Sequence, residues 1–159
     1  VVAPWEGGFG TTLTWKGISL AAQFSWVADR WVFNNDRYLD EGNGLFETYN
    51  QSRRLLYDRW KKPGDVTDIP RYGVTPQMDS RFLEDASFLR LKNLMLSYNF
   101  PQALLKKTNF LTHLRVFVQG QNLLTFTKFS GLDPEGVSNM YQAQYPSTRQ
   151  FTFGLEVSF

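Results

Sequence analysis

The stretch FTFGLEVSF, residues 151–159, places Phe151, Phe153, Leu155, Val157 and Phe159 at every second position, with Thr152, Gly154, Glu156 and Ser158 between them. A side-chain period of two is the period of a β-strand. One face of this strand is entirely apolar and the other is small or polar. The fold therefore turns on what the apolar face meets, protein or hydrocarbon.

The same alternation recurs upstream in four segments. GFGTTLTW puts Phe9, Thr11, Leu13 and Trp15 on one face. ISLAAQFSW puts Ile18, Leu20, Ala22, Phe24 and Trp26 opposite Ser19, Ala21, Gln23 and Ser25. Only Lys16-Gly17 separates these two, a spacing that predicts a tight hairpin. The segment from about Phe88 to Phe100 aligns Leu94, Leu96, Tyr98 and Phe100. Leu89 and Leu91 fall on the opposite parity, which predicts either a bulge near Lys92-Asn93 or a strand end that has left the apolar zone. In LRVFVQGQNLLTF, Leu114, Val116, Val118 and Gly120 oppose Arg115, Phe117, Gln119 and Gln121.

The connections alternate in length: two residues, then about Ala28 to Ala86, then PQALLKKTNFLTH, then about Lys128 to Thr148. Short turns on one side and long loops on the other describe an up-and-down transmembrane barrel, with the C-terminus on the short-turn, periplasmic side. Inside the first long loop, ETYNQSRRLLYDRW spaces Tyr49, Arg53, Leu56 and Trp60 three or four apart ahead of Pro63-Gly64, predicting a short helix.

Composition fits two solvents. The chain has 14 Phe, 7 Tyr and 5 Trp in 159 residues, yet its mean hydropathy is −0.35. No run approaches the roughly 18–20 apolar residues of a membrane-spanning helix, whereas barrel strands need only about 9–11 alternating residues. Trp15, Tyr98, Phe100 and Phe159 fall near the short-turn ends of their strands and Trp26 near the opposite ends, as two interfacial girdles would. The net charge of +2 is too small and scattered for nucleic acid. The absence of Cys removes disulfides and thiolate metal sites. The start, VVAPWEGGFG, carries neither an initiator Met nor a signal pattern, so we expect a mature product or a piece of a longer chain.

A sheet in lipid must close, and single-chain barrels have eight or more strands. Five strands therefore predict the last part of a larger barrel. The alternative reading is a soluble β-sandwich carbohydrate-binding module, which needs a second layer over the aromatic face. Parity assigns Gln23, Arg115, Gln119, Gln121 and Glu156 to the wet, lumen-facing side, together with Ser19, Ser25, Ser97 and Thr152. Arg115 and Glu156 are expected to pair. The loop aromatics Trp31, Tyr38, Tyr49, Trp60, Tyr72 and Tyr141 are the candidate cargo-binding residues.

Catalytic patterns are missing: there is no Ser-His-Asp arrangement, phosphate loop or nucleophile elbow. Asp133 and Glu135 sit on a turn built by Pro134 and Gly136. Asp36, Asp40 and Glu41 offer oxygen ligands without the spacing of a calcium loop. The single His113 reads as a residue near a strand start. Arg53, Arg54, Arg59, Lys61 and Lys62 form a basic cluster read first as a solvated helix face. The chain is expected to be no enzyme and to hold no metal or cofactor.

FLRLKNLMLSYNFPQALLKK, LRVFVQGQNLLTFTKFSGLDPE and YPSTRQFTFGLEVSF, in that order, resemble the C-terminus of SusC/RagA-type TonB-dependent outer-membrane transporters. GGFGTTLTWKGISLAAQFSW and DRWKKPGDVTDIPR are similar to that family's late strands and a late extracellular loop. The resemblance implies that residues 1–159 are the C-terminal barrel segment, strands 18 to 22 of 22, without plug or TonB box. It implies import of oligosaccharides or peptides, a SusD-like surface lipoprotein as lid, energy from the TonB complex, and a bacterial outer-membrane location amid lipid. It also implies that Phe159 is read by the barrel-assembly machinery and that the last strand pairs with the first.

Overall fold

Lys16 and Gly17 both have positive φ, 47° and 88°. Positive φ at both central residues is the turn whose twist matches a two-residue hairpin, and it folds β1 (Trp5–Trp15) onto β2 (Ile18–Ala28) with Trp15 facing Ile18. The computed structural model describes residues 3–46, 48–108, 110–136 and 138–159. Its remaining elements are β3 (Trp31–Asn34), α1 (Asn35–Asp40), α2 (Arg53–Tyr57), β4 (Leu83–Asp85), β5 (Phe88–Asn99), α3 (Gln102–Leu105), β6 (His113–Thr127), β7 (Met140–Tyr141) and β8 (Gln150–Ser158). Two compact units emerge.

The first is an antiparallel sheet in the order β1-β2-β5-β6-β8, all-β as expected, with sequence neighbours side by side. Its ladder leaves Lys92 out between Leu91 and Asn93, opposite Asn122 and Leu123 on β6, with Asn122 at φ 53°. That bulge sits where the parity break predicts it. It returns Leu89 and Leu91 to the face of Leu94, so one face reads apolar across the strands: Phe24, Leu91 and Leu124 in one row, and Leu20, Leu96, Val118 and Phe153 in another. This face is uncovered. Leu13, Phe153 and Leu155 are 63%, 78% and 65% exposed. Among the described residues of this unit there is no second layer of the kind a soluble sandwich requires.

The second unit gathers Asp29–Ala86 and Lys128–Tyr145, the two long connections, into one body. A small sheet orders β4-β3-β7, antiparallel between β3 and β4 and parallel between β3 and β7. Val32, Ala86, Phe129 and Tyr141 form its buried core, with Phe129 and Tyr141 packed edge to face at 5.0 Å between ring centres. Phe33, Tyr38, Phe46 and Phe82 make a second aromatic cluster, with Tyr38 and Phe82 perpendicular at 5.3 Å. The helix predicted over 47–60 is confined to the five residues of α2. Ser52 caps it through its hydroxyl, and the Gln51 side-chain amide donates to the carbonyls of Phe46 and Tyr49.

Candidate functional site

The loop unit contains a polar cleft of about 600 Å³, built around α1. The Asn34 side chain accepts from the Arg37 backbone N–H at 3.0 Å and caps the helix. One turn on, Arg37 Nε donates to Glu41 Oε1 at 3.0 Å, the i,i+4 spacing. The same guanidinium reaches Glu84 and Asp68 at 3.2 Å each. Arg54, from α2, meets Glu41 Oε1 at 2.7 Å and Asp68 at 2.8 Å. Glu84 in turn accepts from the Ser130 hydroxyl at 2.7 Å and its backbone N–H at 3.0 Å. Two arginines and three carboxylates thus tie α1, α2, β4 and the second long connection into one network.

The network sets its own ionisation. Burial works against the Arg37 charge, but Glu41 and Glu84 outweigh it and raise its pKa above the usual value. Asp68 is desolvated, yet the Arg54 guanidinium holds it below the ordinary carboxylate range. Burial likewise opposes the Glu84 charge, and the Ser130 donors with Arg37 keep its pKa low. Asp40 goes the other way, raised by burial and by Asp36 and Glu41.

The arrangement disperses the carboxylates that the sequence groups together. Asp36 accepts from the Ala143 N–H at 2.9 and 3.0 Å, and Glu41 belongs to the arginines. Among the described residues, no set of three potential metal ligands converges. Asp133 Oδ1 accepts from the Glu135 N–H at 2.9 Å, a turn bond. The basic cluster is divided too: Arg54 is in the network, Arg53 lies over Tyr57 and Arg59 over Tyr72. The Lys61 and Lys62 N–H groups both donate to Asp65. His113 heads β6 opposite Ser158.

The six loop aromatics separate by exposure. Tyr141 is core, 3% exposed, and its hydroxyl accepts from the Leu132 N–H at 2.9 Å. Tyr38 is taken up in the aromatic cluster. Trp31, Tyr49 and Tyr72 are exposed; Trp31 donates to Asp29 at 3.0 Å. Trp60 is half-buried, its backbone N–H bonded to the Ile69 carbonyl. The six do not form one patch: only Tyr141 lines the cleft.

On the sheet, Gln23, Arg115, Gln119, Gln121 and Glu156 share the face opposite the apolar rows. Arg115 and Glu156 are register partners and pair at 3.4 Å. The Phe117 ring lies on Gly154 so closely that an added Cβ would overlap it. Arg90 is the residue the sequence reading missed here. It is 3% exposed and donates to Thr125 at 2.9 Å and Ser147 at 3.2 Å. Its signal was the parity flip itself: past the bulge, an even-numbered Arg joins the polar face. At the C-terminus, the Phe159 ring centre sits 4.7 Å from that of Phe110, and the Thr112 N–H donates to the Ser158 carbonyl. No helix among the described residues is long and apolar enough to cross a membrane, which says nothing of strands.

No protein-family model matches the chain. Individual relatives do. TonB-dependent receptor P3 of Formosa agariphila is 34% identical over 96% of this chain, and SusC of Bacteroides thetaiotaomicron is 35% identical over 55% of it. The solved RagAB peptide importer in its open-open state superposes on the whole chain at 42% identity and a TM-score of 0.92; the closed-closed state covers 97% at 0.89. The chain belongs to the SusC/RagA-type TonB-dependent receptors. It spans 16% of the length of the P3 receptor and 17% of the matched RagAB chain. Within a SusC-like receptor the five-strand sheet and the body made of two long connections correspond to one contiguous stretch of that longer chain.

Proposed function

We propose that this chain is part of an outer-membrane active importer whose five strands complete a 22-strand barrel and whose two long connections face outward. The uncovered apolar face carries this reading: the side chains that cross the sheet from Leu13 to Leu155 meet hydrocarbon, while the Gln23-to-Glu156 face lines the lumen. The match to the RagAB peptide importer supports peptides as cargo, and the family resemblance keeps oligosaccharides as the alternative. Trp31, Tyr49, Trp60 and Tyr72 are the loop aromatics we assign to cargo or lid, on their exposure alone; Tyr38 and Tyr141 serve the loop unit's own core. A SusD-like lipoprotein forms the lid, TonB supplies energy through a plug elsewhere in the receptor, and the barrel-assembly machinery reads the strand ending at Phe159, on the periplasmic side.

The test uses the full-length receptor. Fractionation should place it in the membrane pellet, released only by detergent and heat-modifiable on a gel. A strain lacking it should lose growth on its cargo. Recovery as a monodisperse protein in detergent-free buffer would establish the soluble-module reading instead.

A further inference from the structure

The apolar face of the sheet holds a trough of about 500 Å³, walled by Ile18, Leu96, Tyr98, Val116, Val118 and Phe153. Side-chain size makes it. Ile18, Tyr98 and Val116 form one cross-strand row, and Leu96, Val118 and Phe153 run through the next. Two valines on β6 thus lie between larger neighbours on β5 and β8.

The trough lies at the short-turn end of the strands. Ile18 directly follows the Lys16-Gly17 turn, and the Asn99 N–H donates to the Gly17 carbonyl at 2.8 Å. Lys16 Nζ sits 4.8 Å from the Trp15 ring centre. Trp15 belongs to the apolar face and is the register partner of Ile18. The ammonium is therefore held beside the trough, on the apolar side of the turn. Lys106 and Lys107, both exposed, lie on the connection joining the two strands that form the trough's centre. Neither that connection, residues 100–113, nor the turn at 16–17 contains an Asp or Glu.

Lys16 at the turn beside the trough, two further exposed lysines on the adjoining connection and no Asp or Glu in either segment, next to a trough walled by hydrocarbon and aromatic side chains, match one molecule with an anionic head and an apolar tail. Resting on the lipid-facing reading above, the geometry points to a binding site for an anionic glycerophospholipid of the adjoining leaflet. One acyl chain lies over Val116 and Val118, and the phosphate meets Lys16, Lys106 and Lys107. An acyl chain asks for no hydrogen bonds from the aliphatic floor of Val116 and Val118, as a peptide backbone would, and the Tyr98 hydroxyl is the one polar side-chain group among the walls named above.

Residues 1–159 contain no Cys, so in a receptor whose remaining sequence is cleared of Cys, single labelled cysteines report position. The full-length receptor, reconstituted in phosphatidylcholine vesicles, is labelled with a fluorophore at Val116→Cys in the trough or at Phe151→Cys on the same face outside it. Brominated phosphatidylglycerol and brominated phosphatidylethanolamine are then compared as quenchers. At position 116 the anionic lipid is expected to be favoured at least about fivefold, the effect of about 1 kcal/mol from a single basic residue near the surface. At position 151 the two should be equivalent. Replacing the three lysines together by Gln should bring the ratio at 116 to about one. Equal quenching at 116, or a preference surviving the triple replacement, overturns the lipid site and leaves the lipid-facing sheet standing. No quenching at 151 by either lipid overturns both. If Val116→Cys does not assemble, a label at Ile18→Cys on the trough's rim gives the same comparison.

Discussion

Phe117 and Gly154 show what single residues decide on this sheet. The apolar side of β8 cannot fix its own register. A two-residue slip puts Phe153 where Phe151 was and leaves a greasy row against a greasy row. The polar side is not degenerate. Only Gly154 accepts the Phe117 ring, and only Glu156 lies opposite Arg115. Slipping β8 by two residues brings Thr152 or Glu156 under the ring and leaves Arg115 without its partner. Gly154→Ala should therefore cost about 1–3 kcal/mol of overpacking and reduce the heat-modifiable full-length receptor. Removing the ring in the Phe117→Ala, Gly154→Ala pair should recover most of that loss. A double variant as impaired as the single would mean that the ring does not select the glycine. This pair was only half legible in sequence: parity put both residues on one face, but nothing in the spacing showed that β6 and β8 align 117 with 154.

At the scale of elements, the strands were legible because each repeats one signal over nine to fifteen residues, ending within a few residues of where alternation stops. The break at Lys92 was legible for the same reason, since one extra residue inverts everything downstream. β3, β4 and β7 were not. They are four, three and two residues long, too short for a period, and β7 pairs with β3 from more than a hundred residues away. α2 was read too long because spacing alone ignores the capping chemistry of Gln51 and Ser52. The strand reading makes a prediction of its own. Leu155 sits near the middle of β8 on the exposed apolar face, so Leu155→Arg should cost about 2–4 kcal/mol in hydrocarbon and abolish assembly. Ser158→Arg, on the opposite face at the strand end, should assemble nearly normally. Equal loss of the folded band in both variants would refute the face assignment.

For the molecule as a whole, the long connections are where sequence said least. Their aromatics and charges were visible, but the residues that organise them, Arg37, Glu41, Arg54, Asp68 and Glu84, come from four separate places in the chain, and only folding shows that they converge. That convergence makes the loop unit acid-sensitive. Glu84 titrates in the folded unit below its ordinary 4.5 and Asp68 below its ordinary 3.8. The native unit thus binds fewer protons than the unfolded one, and stability falls with pH. Their contribution is complete above about pH 4.5 and is lost as pH drops through the depressed values. Asp40 has the opposite sign: its raised pKa favours protonation in the folded unit and offsets part of the loss. Both arginines stay charged throughout, so acid removes the carboxylate half of the network. Hydrogen exchange on the full-length receptor in detergent should show amides of Asp29–Ala86 and Lys128–Tyr145 losing protection as pH falls below about 4.5. Amides of β5 and β6, held by ladder bonds on both sides, should keep theirs. Glu84→Gln should reduce protection at neutral pH and shrink the acid-dependent step, because an amide cannot titrate and pairs weakly with Arg37. An unchanged step in Glu84→Gln would assign the acid response to carboxylates other than Glu84.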